Sequence, residues 1–446
     1  MTRTALALLL TSASALAADP ADIPSGAKMS WLANDLVRVG VDLNRGGAIT
    51  YLAREGGGNL INNFDFGRQA QLSFYSGPVP FSVGENRPAK HWEHIGWNPV
   101  QSGDDFKHAS RVLDHRNDGR TIYVKCAPMQ WPLNNVPADC TFESWLELDG
   151  AVVKARARLT NARADTTQYP ARFQELPALY ANAPFHRVVS YVGDRPFTGG
   201  ALVEVPKPGG THPWSFWQAT ECWSALLDGS EHGVGLISPG RVQFTGGFAG
   251  VPGSNDTNGN STGYLASHVA EILDHNIAYD FRYELVPGSL AEIRARAAAA
   301  RSAELPAWTF TNDRQSWHYV NATDKGWPID GVLDVQLDRA DPQLISPLTF
   351  WRAEDAPFLI IDAAFKTTHR SAVIYFQRHD QSAPAAGDVI EFPIQPDGEF
   401  HRYAVKLADI PSYRGGIIRL RFDPVPDGAP GDWVKVRSVK LAKERE

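Results

Sequence analysis

Between Leu36 and about Leu285 the chain is a succession of short runs in which apolar and polar residues alternate, each run closed by a cluster of Gly, Pro, Asn or Asp. A period of two is the pattern of a strand with one buried and one wet face. In LVRVGVDL, Val37, Val39 and Val41 oppose Arg38, Gly40 and Asp42; in VVKARARL, Val153, Ala155, Ala157 and Leu159 oppose Lys154, Arg156 and Arg158. The composition agrees, since 13 Trp, 13 Tyr, 21 Phe, 38 Gly and 31 Pro against 3 Met favour strands and turns over helices.

One stretch breaks the pattern. SLAEIRARAAAARSAEL is dense in strong helix formers, Ser289 and Glu292 have capping-box spacing, and Pro306 stands just beyond. Strands then return in FLIIDAAFK, SAVIYFQR, HRYAVKL, IIRLRF and WVKVRSVKL. The expected fold is all-β: a large β-domain over residues 18–288, a linker helix over 289–305 and a jelly-roll β-sandwich over 306–446. Residues 1–17 carry Arg3, an apolar stretch and Ala15-Leu16-Ala17, which reads as a secretory signal peptide and points to a periplasmic or secreted protein.

A formal charge of −7 argues against a general nucleic-acid binder, and no later apolar run reaches the roughly 20 residues that membrane insertion requires. In an oxidising compartment Cys126 and Cys140 are expected to close the Pro-rich loop between them as a disulfide, with a gain of around 3 kcal/mol. No P-loop, dinucleotide fingerprint or G-x-S-x-G elbow is present, and the His91/His94 spacing lacks the further ligands of a zinc site, so no cofactor and no metal are expected.

Four segments concentrate polar and aromatic side chains. HWEHIGWNPVQSGDDF brings His91, Trp92, Trp97, Asn98, Gln101 and Asp104 into a loop of the kind that lines pockets. NNFDFGRQAQLSFYSGP holds Arg68, whose planar fork suits a carboxylate or vicinal hydroxyls, with Gln71 and Tyr75. RFQELPALY sets Glu175 among apolar residues that raise a carboxyl pKa toward the range of a general acid. SFWQATECWSALLD offers Trp217 and Glu221 as parts of a sugar subsite, because pyranose faces stack on aromatic rings. Tyr264 and His268 end a Gly/Asn/Ser-rich segment expected to form a mobile loop or lid.

The opening NDLVRVGVDLNRGGAITYL, the later YDFRYELVPGSLAEIR, and the combination of DFGRQ, WNPVQSGD and QELPALY resemble the galactose mutarotase-like supersandwich superfamily over roughly residues 30 to 300. The C-terminal part is similar to jelly-roll modules appended to carbohydrate-active enzymes. The resemblance implies a secreted protein acting on an oligo- or polysaccharide. Mutarotases use a His acid and a Glu base; Glu175 corresponds to the Glu, with His91, His94, His186 and His268 as candidates for the His. The leading expectation is a glycoside hydrolase with Glu175, Asp104 and His91 as catalytic residues. A second carboxylate, Asp104 or Glu221, is then required about 5 to 9.5 Å from the first. The alternatives are a polysaccharide lyase acting on a uronate-containing glycan, a non-catalytic glycan-binding protein and, less favoured by the signal peptide and the appended sandwich, a free-sugar epimerase.

Overall fold

The computed structural model describes residues 22–205, 215–254 and 257–445; the leader expected over residues 1–17, together with Trp214 and Asp256, lies outside them. Nearly all the regular structure of the described residues is antiparallel strand, arranged in four sheets.

The first, ten-stranded sheet has a main path running Met29–Ala33, Val37–Asp42, Ala48–Arg54, Ala70–Ser73, Arg172–Asn182, Thr262–Glu271, Gln243–Ala249 and Ser215–Gln218. A nine-stranded sheet lies against it, with Trp223–Leu227, His232–Ile237, Ala278–Ser289, Val152–Asn161 and Cys140–Asp149 consecutive within it. Leu52, Leu72, Leu179 and Leu265 from the first sheet meet Phe142, Ala157 and Leu285 from the second in one core. Burying each leucine or phenylalanine contributes about 1.5–3 kcal/mol, so the alternation seen in the sequence fixes which face of each strand turns inward. The alternation in VVKARARL holds: Val153, Ala155, Ala157 and Leu159 are buried, while Arg156 and Arg158 reach out to clamp Asp280.

The helix spans Leu290–Ala299, and its capping box is formed in both directions between Ser289 and Glu292. It does not bridge open space. Ile293 and Ala297 pack on Trp223, Ala225, Ile237 and Val286, covering the outer face of the nine-stranded sheet. A Cβ at Gly235 would collide with Ile293, which is why that position has no side chain.

Beyond Pro306, two six-stranded sheets enclose a second core, in which Leu420 and Phe422 point inward beside Phe365, Phe376 and Val436. This second sandwich is held to the first unit by polar contacts as well as packing. Arg314 bridges Asp274 and Asp324 at 2.6 Å each, Ser316 Oγ donates to Glu271, and Ile272 of the first unit joins the second core.

The expected Cys126–Cys140 disulfide is not formed; both thiols are free and buried in the first core. Cys126 is the register partner of Phe142, so Cys140 is its diagonal neighbour. Diagonal positions across a strand pair lie about 7–8 Å apart, at or beyond disulfide reach. Burial pushes the Cys126 thiol up to about 12.

Candidate active site

The face of the ten-stranded sheet turned away from the core is the floor of a cleft of about 730 Å³. Its centre is set by register. Glu175 pairs with Ser73 on one side and His268 on the other, and directly opposed residues project to the same face. After Glu175 the pairing slips, resuming at Ala178, and Leu176 turns into the core. Pro177, which has no N–H to give to a ladder, lies within this bulge. The slip puts Glu175, Ala178 and Tyr180 on the cleft face together, where strict alternation would have chosen 175, 177 and 179. Tyr180 is the register partner of Tyr264, and their rings stand 4.8 Å apart.

Two phenols hold the carboxylate. Tyr75 Oη donates to Glu175 Oε2 at 2.8 Å and Tyr264 Oη donates to Oε1. Burial raises the Glu175 pKa above its ordinary value, and the hydrogen bonds from the tyrosines and Ser73 oppose that shift without cancelling it. Burial, followed by the Glu175 charge, pushes both Tyr75 and Tyr264 well above the usual phenol range, so they remain donors. No lysine or arginine forms an ion pair with Glu175 among the described residues.

His268 is the second unusual group. Its two ring nitrogens are shielded and have no hydrogen-bond partner among the described residues, and its ring lies between Phe173 and Phe216 at 5.8 and 5.5 Å. Burial lowers its pKa to about 3, so it is a neutral imidazole offering one donor and one acceptor. The far wall is aromatic. Trp92 and Trp131 meet edge to face at 5.9 Å, and His91 packs on Trp92 at 4.9 Å.

The expected site residues divide. Glu175, Tyr75, Tyr264, His268, His91, Asn98 and Gln71 all line the cleft. Gln71 and Asn98 are tied down there: Gln71 accepts from Ser102, and Asn98 Nδ2 donates to the Phe74 carbonyl at 2.8 Å. Tyr264 and His268 stand on the regular Thr262–Glu271 strand rather than on a lid.

The others are corrections. Asp104, expected as a catalytic carboxylate, is buried and saturated, accepting from the amides of Phe106, His108 and Asn135 and from His108 Nδ1. Gln101 bonds the Leu72 amide and the Gly46 carbonyl, which fixes a loop to the sheet. Arg68 is engaged by Asn260 and Asp65. Trp97 is in the core. Trp217 is also in the core, with its indole N–H on Ser224, and its neighbour Phe216 faces the cleft instead. Glu221 lies under the helix, gripped at both oxygens by Arg294 and bonded by the Trp223 indole and the Phe197 amide. Glu175 is therefore the one carboxylate lining the cleft among the described residues.

Trp131, Arg172, Phe173, Tyr180 and Phe216 also line the cleft or its margin, and no motif in the sequence singles them out. Phe173 carries the one usable signal, since it stands two residues before Glu175 on the same strand face.

No protein-family model matches the sequence, and no curated protein matches it. Among solved structures, a galactose mutarotase-like protein from Lactobacillus casei is 11% identical, with 58% of this chain and 99% of that one covered at a TM-score of 0.38. A galactose mutarotase related enzyme from Lactobacillus acidophilus is 9% identical over 59% of this chain and 98% of that one, at 0.38. The 4-alpha-glucanotransferase from Thermococcus litoralis is 10% identical over 58% of this chain and 37% of that one, at 0.31.

Proposed function

We propose that the protein is a secreted carbohydrate-active enzyme that works by proton transfer on a sugar held in the cleft, with Glu175 as the acid/base and His268 as its partner. The observation that carries this reading is the setting of Glu175: a desolvated carboxyl held by two neutral phenols, directly across a strand pair from an imidazole, with no cation on the one and no hydrogen-bond partner on the other among the described residues. A carboxyl kept in this state holds its proton above the ordinary carboxylate range, which suits a group that must both give and take one. The aromatic walls at Trp92 and Phe216 suit the apolar faces of pyranose rings.

Hydrolysis through paired carboxylates needs a second acid at about 5–9.5 Å. Neither Asp104 nor Glu221 lines the cleft, so the preference drawn from the sequence loses its support. Elimination from a uronate and ring opening of an aldose each require one acid and one base, which this floor supplies.

A glycan panel read by product mass, reducing ends, ultraviolet absorbance and optical rotation tests this. Proton-transfer chemistry yields either new ultraviolet absorbance with chain cleavage or accelerated mutarotation of a free sugar. New reducing ends without absorbance would establish hydrolysis and overturn the reading.

A further inference from the structure

The cleft does not end at Glu175. Past Arg172 and His268 it continues into a second lobe of about 550 Å³, whose far wall is His318, Tyr319 and Val320 of the second sandwich. That wall is fixed in place: Arg314 joins Asp274 to Asp324, and Ser316, two residues before His318, donates to Glu271 next to the cleft floor. A lobe built by two rigid units in register needs no closure to bind, so the usual ordering cost is low.

Its lining combines exposed apolar surface with positive charge. Phe173 and Val320 are 41% and 40% exposed, and Phe216 is 55% exposed beside Phe173 at 6.1 Å. Arg172 spans the junction of the two lobes. Its Nη atoms rest on the carbonyls of Ile95 and His94, and no carboxylate pairs with it among the described residues. Arg419 is also without an acidic partner there, its Nε buried and unbonded. Its charge adds to burial in lowering His318 to about 4. Two guanidinium groups in and beside a lobe whose lining, among the described residues, holds no acid but Glu175 favour an anionic occupant, and Arg favours a carboxylate through its planar fork.

We propose that this second lobe is a subsite for a uronic acid residue, so that the substrate is an acidic oligosaccharide of at least two units, lying over Glu175 with one ring against Phe173 and Val320 and its carboxylate toward Arg172. The proposal rests on reading the cleft as a sugar site.

Calorimetric binding to the full-length Glu175→Gln chain tests it. The probes are galacturonate, glucuronate and mannuronate as monomers, dimers and trimers, with the neutral galactose, glucose and mannose series beside them. One acidic dimer or trimer is expected to bind at least tenfold tighter than its monomer and its neutral counterpart. The gain should disappear in Arg172→Gln and in Val320→Glu, the second being an exposed position where the fold is not at stake. Equal affinity for monomer and trimer, or for neutral and acidic trimers, overturns the subsite, as does a gain that survives both substitutions. The two proposals fail separately: an acidic trimer that binds but is returned unchanged by the wild type sinks the proton-transfer reading alone. Turnover confined to neutral or single sugars sinks the subsite alone.

Discussion

Two glutamates among aromatic rings, Glu175 and Glu221, look interchangeable in the sequence and are opposites in the structure. Glu221 sits beneath the helix with Arg294 on both oxygens and an indole and an amide completing its shell. Its charge is matched, and the group serves to pin the helix to the nine-stranded sheet. Glu175 has only neutral donors, an open cleft above it and an unpartnered imidazole beside it. A buried carboxylate with a cation is a fastening; one held by phenols alone keeps a proton to exchange.

The largest effect should separate them outright. Glu175→Gln is expected to lower turnover by about 10²- to 10⁴-fold, the usual share of a general acid or base, with the thermal midpoint little changed. Glu221→Gln should do the reverse. Removing one partner of a buried pair costs about 3–5 kcal/mol, and the partial exposure of Arg294 places the loss near the lower figure. Turnover per folded molecule is expected to stay at the wild-type level. Denaturant unfolding together with assays on the folded fraction checks both, and an inactive but stable Glu221→Gln would break the comparison.

A third glutamate, this one buried, sharpens it. Glu271, at the junction of the two units, is raised to about 7 by burial. A carboxyl raised on folding binds its proton more tightly in the native state. Its contribution is therefore complete below the unfolded pKa of 4.5 and is lost as pH climbs through about 7. At 1.36 kcal/mol per unit the loss is about 3 kcal/mol. Unfolding measured at pH 4.5 and 8 should show that decline in wild type and not in Glu271→Gln; an equal decline in both would refute it.

The smallest effect concerns the phenols. Tyr75 donates to the ionised form of Glu175, so Tyr75→Phe removes a bond that favours the charge and should carry the Glu175 limb of the kcat/KM profile to higher pH. A shift to lower pH would mean that the tyrosine serves the protonated acid instead.

Much of the framework could be read from the chain because it is local. The alternation in VVKARARL and the Ser289–Glu292 spacing involve residues within a few positions of each other, and both hold. Glu175 was legible too, since its apolar neighbours are adjacent in sequence. What brings His268, Tyr75 and Ser73 to it is strand register across long separations, and a one-residue slip at Leu176–Pro177 sets which side chains share the face. The tryptophans misled for a related reason. Trp97 and Trp217 promised stacking surface by their size, yet that size is what makes an indole valuable in a core, and Trp92 and Phe216 were left facing the cleft. Asp104 and Glu221 do not line the cleft; local partners, Phe106 and His108 for the one and Trp223 for the other, hold part of each shell, and the contacts that complete them, from the Asn135 amide and Arg294, are distant in sequence.

The account turns on the protonation of one side chain, which can be observed directly. In protein carrying carboxyl-labelled glutamate, the carbon resonance lost in Glu175→Gln should titrate above the ordinary carboxylate value of 4.5 in the wild type and move higher still in Tyr75→Phe. A resonance that titrates at or below 4.5, indifferent to Tyr75, would contradict the claim that Glu175 is the acid/base of the site.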